Sequence, residues 1–382
     1  MSAPQGGHVL VARLDSVGDI LLSGPAVRAV AASSAKVTML VGRGRGAVAR
    51  LLPGVDDVLE YDAPWVVAEP GPLDPAAVDA LVADVRRAGV DAALVVTSFH
   101  QSPLPLALLL RLAGVGWVGA ISDDYPGSLL DLRHRMPEEL HERQRGELSG
   151  GRGGSSPLMT EPADVPESER ALSLARAAGF DLPGPARLAV RGPLPDVREL
   201  VGADPYVVLH PGADAPARRP SAEQSRAFVA ALVDAGHRVV VTGSRGEAAL
   251  TAAVADGRAL DLAGAVDLAG LAAVLAGADV VVAPNTGPAH LAAAVGPPVV
   301  SLFAPVVPPV RWAPYGVPVV LLGDQDAPCR LTRARHCPVP GHPCLDGIAP
   351  DDVVAAVATL QARPADDRDP VPARPREVDH VS

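Results

Sequence analysis

The amino-acid sequence predicts an α/β protein built from two Rossmann-like domains that face a central cleft. The chain has 382 residues and is longer than a single hydrophobic core usually supports. Apolar runs typical of strands alternate with helical patterns in both halves of the chain. Hydrophobic residues make up 48% of the sequence but aromatic residues only 3%, so the cores consist of Ala, Val and Leu, as in parallel sheets covered by Ala-rich helices.

The first domain is expected over residues 1–200. Helices separate its strands, and this order favours a parallel sheet with right-handed crossovers. Asp74 before Pro75 has the order of an N-cap and a first-turn proline. The expected strands are His8–Leu14, Lys36–Gly42, Asp57–Tyr61 and Asp91–Thr97, and the expected helices are Gly18–Ala32, a short one ending at Leu52 and one that begins at Asp74-Pro75.

The second domain is expected over residues 201–362, after a Gly/Ser/Pro-rich segment and a helix over Ser168–Ala178. Residues 146–166 have too little apolar content to bury, so we expect a flexible insertion there, and we expect residues 363–382 to form a disordered tail. The expected strands are Tyr206–Ala213, His237–Thr242, Asp279–Ala283 and Pro298–Phe303, and the expected helices are Ser221–Ala235, Gly246–Ala255, Asp267–Ala276, Gly287–Val295 and Asp351–Ala362.

Charge and composition disfavour several classes of protein. The net charge is −11 and Lys and Arg occur in pairs at most, so nucleic-acid binding is not expected. We find neither a stretch of about 18 apolar residues nor a signal-type N-terminus. The sequence therefore predicts a cytoplasmic protein with at most peripheral membrane contact.

The segment DVVVAPNTGPAHLAAAV, which begins at Asp279, carries a polar turn between a strand and a helix. Asn285 and Thr286 offer side-chain donors, Gly287 permits close approach, and the start of the helix presents backbone N–H groups that suit a phosphate. The alternative is that these residues only cap the helix. His290, in the first turn, is either a phosphate donor or a histidine satisfied within the core.

Two further strand ends of the second domain are polar in a similar way. Arg218 and Arg219 lie just before a helix, where guanidinium groups can bind phosphate oxygens. Gly243 ends another strand, and Glu247 in the following helix can accept from ribose hydroxyls or only complement the helix dipole. Because the carboxyl ends of parallel strands share one edge of a sheet, the three turns together indicate a nucleotide diphosphate site.

The first domain has its own polar strand end in VLVARLDSVGDILL. Arg13, Asp15 and Gly18 are candidates on the acceptor side, and we interpret Asp15 as a helix cap. Asp19 is placed to act as the general base for an acceptor hydroxyl. The turn lacks the G-x-G-x-x-G pattern, which disfavours an NAD-dependent dehydrogenase.

Three cysteines and a histidine lie close together near the end of the second domain, at Cys329, His336, Cys337 and Cys344. These residue types can form a tetrahedral zinc site, but their spacing matches no known finger pattern. We therefore expect free or core cysteines and no metal, with structural zinc as the less favoured alternative.

These motifs resemble glycosyltransferase family 9, the heptosyltransferases, over about His8 to Leu360. The first motif is a basic residue followed by Gly-Asp and an apolar helix with Pro-Ala, matched here by Arg13, Gly18-Asp19 and Pro25-Ala26. The second is Asp-Thr-Gly-Pro-x-His-Leu before a strand of the form Gly-x-Pro-Val-Val-x-Leu-Phe, matched from Thr286 to Phe303.

The resemblance implies a GT-B fold and an inverting, metal-independent transfer of a sugar from a nucleotide-sugar, with ADP-heptose as the expected donor. It implies no cofactor and a role in cell-envelope glycan biosynthesis. The acceptor stays open between a cell-envelope glycan, a lipid-linked sugar and a small natural product. The implied roles are catalytic base for Asp19, nucleoside contact for Glu247 and phosphate neutralisation for Arg218 or Arg219. Thr286, Gly287 and His290 are implied to hold the diphosphate.

The sequence departs from the family at two points. Asn285 stands where the family has aspartate, and the tryptophan expected after the phosphate-neutralising residue is missing at Arg218-Arg219-Pro220. Two alternatives stay open: a UDP-sugar epimerase-like enzyme, and a non-catalytic nucleotide-sugar-binding protein in which Asp19 only caps a helix.

Overall fold

The computed structural model describes residues 2–98, 100–136 and 165–362. The flexible insertion expected over 146–166 lies outside these residues, apart from residues 165 and 166, and so does the tail expected over 363–382. Contacts divide the chain into two compact units. The first comprises Met1–Gly202, Ala265–Leu275 and Thr286–Val295, and the second comprises Ala203–Gly264, Ala276–Asn285 and Gly296–Ser382.

The first unit contains a six-stranded sheet in the order β3-β2-β1-β4-β5-β6, and all of its strand pairs are parallel. Its strands are β1 His8–Arg13, β2 Lys36–Val41, β3 Asp57–Glu60, β4 Ala92–Val95, β5 Trp117–Ile121 and β6 Leu132–His134. The helices described from Val17 to Val201 are α1 Val17–Leu22, α2 Gly24–Ala31, α3 Gly46–Leu51, α4 Pro75–Ala88, α5 Leu104–Leu112, α6 Glu167–Ala177 and α7 Arg198–Val201.

Strand β1 is central in this sheet because Val9 pairs with Val37 of β2 on one side and with Ala92 of β4 on the other. The strand order reverses between β1 and β4, and ligands of open α/β sheets bind beyond the carboxyl ends of the strands at such a reversal. The turn that follows Arg13 therefore lies where a ligand is expected in this unit.

The single helix expected over Gly18–Ala32 is wrong. Helix α1 ends at Leu22 and α2 begins at Gly24, with Ser23 between them. Pro25 has no N–H to donate to the carbonyl four residues earlier, so an uninterrupted helix would lose that hydrogen bond.

The second unit contains a six-stranded parallel sheet in the order β12-β11-β10-β7-β8-β9. Both sheets therefore have the Rossmann strand order, with reversals at β1/β4 and at β10/β7. The two Rossmann-like folds predicted from the sequence are confirmed. The strands are β7 Val207–Leu209, β8 Val239–Val241, β9 Leu260–Asp261, β10 Val280–Pro284, β11 Val299–Leu302 and β12 Val319–Leu322.

The helices of the carboxyl half follow these strands along the chain. Helix α11 has the bounds expected from the sequence, whereas the other expected helices begin or end one or two residues away. They are α8 Ala222–Asp234, α9 Ala248–Ala255, α10 Leu268–Ala276, α11 Gly287–Val295, α12 Pro309–Trp312, α13 Pro343–Asp346 and α14 Pro350–Gln361. Within the described part of the chain, every helix is too short or too polar to cross a membrane.

Candidate functional site

Arg13, at the carboxyl end of β1, is 1% exposed and forms ion pairs with three carboxylates. Its Nε lies 2.8 Å from Asp15 Oδ2, its Nη2 lies 2.9 Å from Asp19 Oδ1, and its Nη1 lies 3.5 Å from Glu167 Oε2. Nη2 also donates to Ser98 Oγ at 2.9 Å. We refer to these five residues as the Arg13 cluster. Sequence reasoning identified Arg13, Asp15 and Asp19 but missed Ser98 and Glu167.

Asp15 does not cap helix α1, and that part of the prediction is wrong. Ser16 is the N-cap, because its hydroxyl accepts from the backbone N–H of Asp19. The carboxylate of Asp15 instead accepts from Gln101 and pairs with Arg13. Burial raises the pKa of Asp15, as do the charges of Asp19 and Glu167, while Arg13 and the bond from Gln101 oppose this rise.

Asp19 forms a capping box with Ser16. Its Oδ2 accepts from the Ser16 backbone N–H at 3.2 Å and from the Ser16 hydroxyl at 2.7 Å, while Oδ1 accepts from Arg13. These bonds stabilise the ionised carboxylate and fix its orientation. The side chain is 13% exposed, so a small part of it is accessible to a ligand.

The start of helix α11 packs against the start of α1 within the first unit. A Cβ at Gly18 would lie 2.6 Å from His290 Cδ2, and one at Gly287 would lie 2.8 Å from Val17 Cγ1, so both glycines permit this approach. His290 is 3% exposed. Its turn thus lies beside the turn that carries Asp19.

The residue before this turn, Asn285, is 4% exposed. Its Nδ2 has no hydrogen-bond partner among the residues that the structure describes. Burying an amide donor without a hydrogen-bond partner costs free energy, because the donor gives up its bonds to water. An acceptor oxygen on a ligand would supply the missing hydrogen bond.

Glu247 is the central polar side chain at the strand ends of the second unit. Its Oε2 accepts from the Ser244 backbone N–H at 2.8 Å and from the Ser244 hydroxyl at 2.7 Å. A Cβ at Gly212 would lie 1.9 Å from Glu247 Oε1, so the carboxylate covers this glycine. Burial raises the pKa of Glu247, but the bonds from Ser244 and the charges of His210 and Arg219 outweigh burial and lower it.

His210 lies beneath Glu247 at the end of β7 and is 5% exposed. Burial lowers its pKa to about 4, against the opposing charge of Glu247. The neutral ring bonds through Nδ1 to Thr242 Oγ1 at 3.1 Å. Sequence reasoning missed His210.

The predicted arginine pair lies in and after a 3₁₀ turn over Pro216–Arg218. Both arginines are half-buried, and the charge of Arg219 acts on Glu247. Gly243, the other predicted residue of this unit, lies under Glu247, since a Cβ there would be 3.4 Å from Glu247 Cβ. The structure thus brings Arg219, Gly243 and Glu247 together.

The three cysteines are free thiols, with Cys329 and Cys344 buried and Cys337 half-buried. Burial raises the pKa of Cys344 to about 12, and the neighbouring Cys329 adds to this rise. Over the described residues, which include His336, no three His, Cys, Asp or Glu side chains are arranged to hold a metal ion. The zinc alternative therefore has no ligand set here.

A cavity of about 480 Å³ lies beyond the carboxyl ends of β2 and β3 in the first unit. Tyr61, whose ring contacts Trp65 at a centroid distance of 6.0 Å, forms part of its wall. Sequence reasoning missed this cavity. Its charged lining residues are Arg43, Arg45, Asp62, Glu69 and Asp74.

Two Rossmann-like units, each with polar turns at the carboxyl ends of its strands, define the GT-B class of glycosyltransferase folds. Residues 159–342 match the family model of glycosyltransferase family 9 (heptosyltransferase). The match covers just under half of the chain, and over these residues the chain resembles the family.

Individual proteins are similar to the chain in sequence or in fold. Lipopolysaccharide heptosyltransferase 1 of Pseudomonas aeruginosa is 47% identical over 72 residues, so the match spans 19% of this chain and only 20% of that protein. The structure of E. coli ADP-heptose lps heptosyltransferase II aligns with a TM-score of 0.66 at 19% identity, over 93% of this chain and 98% of that one. A family 9 glycosyl transferase from Veillonella parvula aligns with a TM-score of 0.68 at 16% identity, over 93% and 97% of the chains.

Proposed function

We propose that this protein is an inverting, metal-independent glycosyltransferase that moves heptose from ADP-heptose to a hydroxyl group of a glycan or glycoconjugate. The match to the family model supports sugar transfer, and the name of the E. coli relative, an ADP-heptose heptosyltransferase, supports the donor. The observation that carries the proposal is the contact of Gly18 with His290, because it sets the turn of a partly accessible carboxylate beside a turn rich in phosphate donors.

Asp19 is the proposed base. Inversion requires that an acceptor oxygen attack the anomeric carbon opposite the leaving diphosphate while it loses its proton. Asp19 is held in one orientation by Arg13 and Ser16, and it keeps some exposure to a ligand. Such a fixed carboxylate is suited to accept the proton of the acceptor hydroxyl.

The leaving diphosphate needs donors that are already oriented. In the proposal these are the backbone N–H groups at the start of α11, Thr286 and His290, together with the amide of Asn285. Arg218 or Arg219 supplies positive charge, and Glu247 uses Oε1 to accept from the ribose hydroxyls, because its Oε2 is occupied by Ser244. With these donors the reaction needs no metal, and we expect transfer to continue in EDTA.

The proposed acceptor belongs to cell-envelope glycan biosynthesis, and the proposed compartment is the cytoplasm, with at most peripheral membrane contact. The cavity beside Tyr61 adjoins the turn of Asp19, since the Arg45 guanidinium lies near Gly42 and the Leu14 carbonyl. Its mixture of Arg, Asp and Glu side chains is suited to a polar, hydroxyl-rich molecule. We propose that the acceptor binds there.

Thermal unfolding in the presence of ADP-, GDP-, UDP- and TDP-sugars tests the donor assignment. A ligand that binds only the folded protein stabilises it by about 2.7 kcal/mol at 100 times its Kd. We expect the largest rise in Tm with ADP-heptose. Equal or absent shifts with all four nucleotides would contradict the donor site.

The release of ADP from ADP-heptose, with water or an added glycan as acceptor, tests the base. Asp19→Asn keeps an oxygen for the Ser16 N–H but cannot take a proton, so we expect release to fall by about 10²-fold or more while ADP still raises the Tm. Asp181→Asn removes an exposed carboxylate of the same unit and serves as the control. Full activity of Asp19→Asn would instead favour a helix cap without catalytic function.

A further inference from the structure

Glu167, in the first turn of α6, is 2% exposed and is not required by the reaction as proposed above. Burying a carboxylate is costly unless it is paired, so its position needs an explanation. Its Oε2 lies 3.5 Å from Arg13 Nη1, and Arg13 in turn bonds to Asp19. We infer that Glu167 is a positioning residue that orients Asp19 through Arg13, an inference that rests on the proposed function.

The geometry of the guanidinium group supports this role. Its three nitrogens lie in one rigid plane, so two fixed nitrogens determine the direction of the third. Asp15 attracts Nε from 2.8 Å and Glu167 attracts Nη1 from 3.5 Å, and these two ion pairs direct Nη2 at Asp19. Without Glu167, the guanidinium can turn about Nε, and the bond to Asp19 Oδ1 lengthens.

Anchoring of helix α6 does not account for Glu167. The helix is already held by the bond from Arg170 Nη1 to the Thr97 carbonyl at 2.6 Å and by its packing against α2. Its apolar face, which includes Leu172 and Leu174, is buried. The ion pair of Glu167 with Arg13 thus adds a contact to a helix that is already attached.

The charge of Glu167 also acts on the carboxylates beside it. The Arg13 cluster holds three carboxylates around one guanidinium, and the charges of Glu167 and Asp19 contribute to the raised pKa of the buried Asp15. Removal of the Glu167 charge is therefore expected to favour the ionised form of a neighbouring carboxylate. The titratable groups around Asp19 are Arg13 on β1, Asp15 on the β1–α1 turn and Glu167 on α6, together with His290 of α11, which lies beside Gly18. Arg28 of α2 points elsewhere, because it bonds to the carbonyls of Pro185 and Arg187.

Three variants separate geometry from charge. Glu167→Gln keeps the shape of the side chain but removes its charge. Glu167→Asp keeps the charge but moves it away from Arg13 by the length of one methylene. Glu169→Gln is the control, because it removes a charge from the exposed side of the same helical turn. The experiment measures ADP release from ADP-heptose between pH 5 and 9. It also follows the carboxyl ¹³C shift of Asp19 as a function of pH, assigned with Asp19→Asn.

For Glu167→Gln we expect kcat to fall on the order of tenfold, with an unchanged KM for ADP-heptose. The acid limb of the profile of kcat against pH should move to lower pH. The midpoint of the Asp19 carboxyl ¹³C titration should move in the same direction. Glu167→Asp is expected to lower kcat but leave that pH profile in place. The inference is overturned if both Glu167 variants match Glu169→Gln in kcat and in the Asp19 midpoint. If Glu167→Gln does not fold, Glu167→Asp alone decides through its kcat.

Failure of the proposed function gives a different result. In that case the unmodified protein itself releases no ADP from ADP-heptose. The bond from Arg13 to Asp19 then tests the inference without turnover. Crystal structures of Glu167→Asp and Glu169→Gln support it if the distance from Arg13 Nη2 to Asp19 Oδ1 exceeds 2.9 Å only in Glu167→Asp, and they refute it if the distance is the same in both variants.

Discussion

Gly18 and His290 touch, and the contact is possible only because position 18 carries no side chain: a Cβ there would lie 2.6 Å from His290 Cδ2. Each residue lies in the first turn of a helix, α1 and α11 respectively, and the contact brings the two turns together. Gly18 therefore has a spatial requirement that is separate from helix propensity.

Gly18→Ala is expected to displace the His290 ring. Overpacking of this kind costs about 1–3 kcal/mol of the free energy of unfolding, and the displaced ring should weaken binding of ADP-heptose. Urea unfolding and calorimetric titration measure the two effects. Gly116→Ala is the control, because its Cβ meets only the Asp91 carbonyl oxygen, at an ordinary 3.5 Å. Identical behaviour of the two variants would show that the contact is unimportant.

Gly212→Ala is expected to weaken nucleotide binding, since its Cβ would lie 1.9 Å from Glu247 Oε1 and must push the carboxylate away. We expect the Kd for ADP to rise on the order of tenfold, a loss of about 1.4 kcal/mol. Gly246→Ala, in the same 3₁₀ turn as Glu247, meets only Ser244 Oγ at 3.8 Å and should bind ADP normally. Unchanged ADP affinity in Gly212→Ala would remove Glu247 from the nucleotide site.

His210 is expected to make the folded protein sensitive to acid. Its pKa is about 4 in the folded state and near 6.5 in the unfolded chain, so the unfolded chain binds the proton more readily. The contribution of neutral His210 to the free energy of unfolding is therefore fully present above pH 6.5. It falls by roughly 3 kcal/mol as the pH decreases from 6.5 towards 4. His210→Gln should lose less free energy of unfolding than the unmodified protein between pH 7 and 5.

The control for this prediction is His237→Gln, a change at a half-buried histidine of the same unit. It should follow the pH dependence of the unmodified protein. If His210→Gln follows it as well, the acid sensitivity has another origin.

Ser16→Ala is expected to affect both stability and turnover. It removes the N-cap of α1, at a cost of about 1 kcal/mol, and it removes the hydroxyl that donates to Asp19 Oδ2 at 2.7 Å. We expect kcat for ADP release to fall several-fold. Ser221→Ala removes the N-cap of α8 in the other unit and should lose similar stability with no change in kcat. Equal kcat values for the two variants would show that the hydroxyl is only a cap.

Helix ends of α4 and α11 that depend on residues adjacent in the sequence were predicted correctly. The bounds of α11 were predicted because Pro284 to Pro288 mark its start and Ala and Leu continue to Val295. Asp74 caps α4 as predicted, since its carboxylate accepts from the Ala76 N–H at 3.0 Å. Pro fixes its own φ, Asn favours turns through local hydrogen bonds and Gly permits conformations closed to other residues, so their effect can be judged without the fold.

Elements without such signals were missed. Helix α5 has the sequence LPLALLLRL, an apolar run without amphipathic periodicity that suits a buried strand equally well. Strands β6 and β12 have three and four residues and lie at sheet edges, where burial imposes little pattern on the sequence. Their pairing partners, not their composition, make them strands.

The polar contacts of the Arg13 cluster show a second limit. Asp15 and Ser16 are adjacent and both suit an N-cap, and only the backbone direction gives that position to Ser16. Glu167 has no local signal at all, because it stands in a Pro/Glu/Ser-rich stretch and meets Arg13 only through the packing of α6. Contacts between distant parts of a chain depend on topology, which composition does not specify.

The interleaved order of the two units has a practical consequence for work with fragments. Because the first unit includes Ala265–Leu275 and Thr286–Val295, a polypeptide that stops at Gly202 lacks two helical segments that complete it. Such a truncated polypeptide would leave apolar surface of α1 uncovered and should aggregate. Mapping of ligands by halves therefore requires the full-length chain, with nicks or labels introduced at chosen loops.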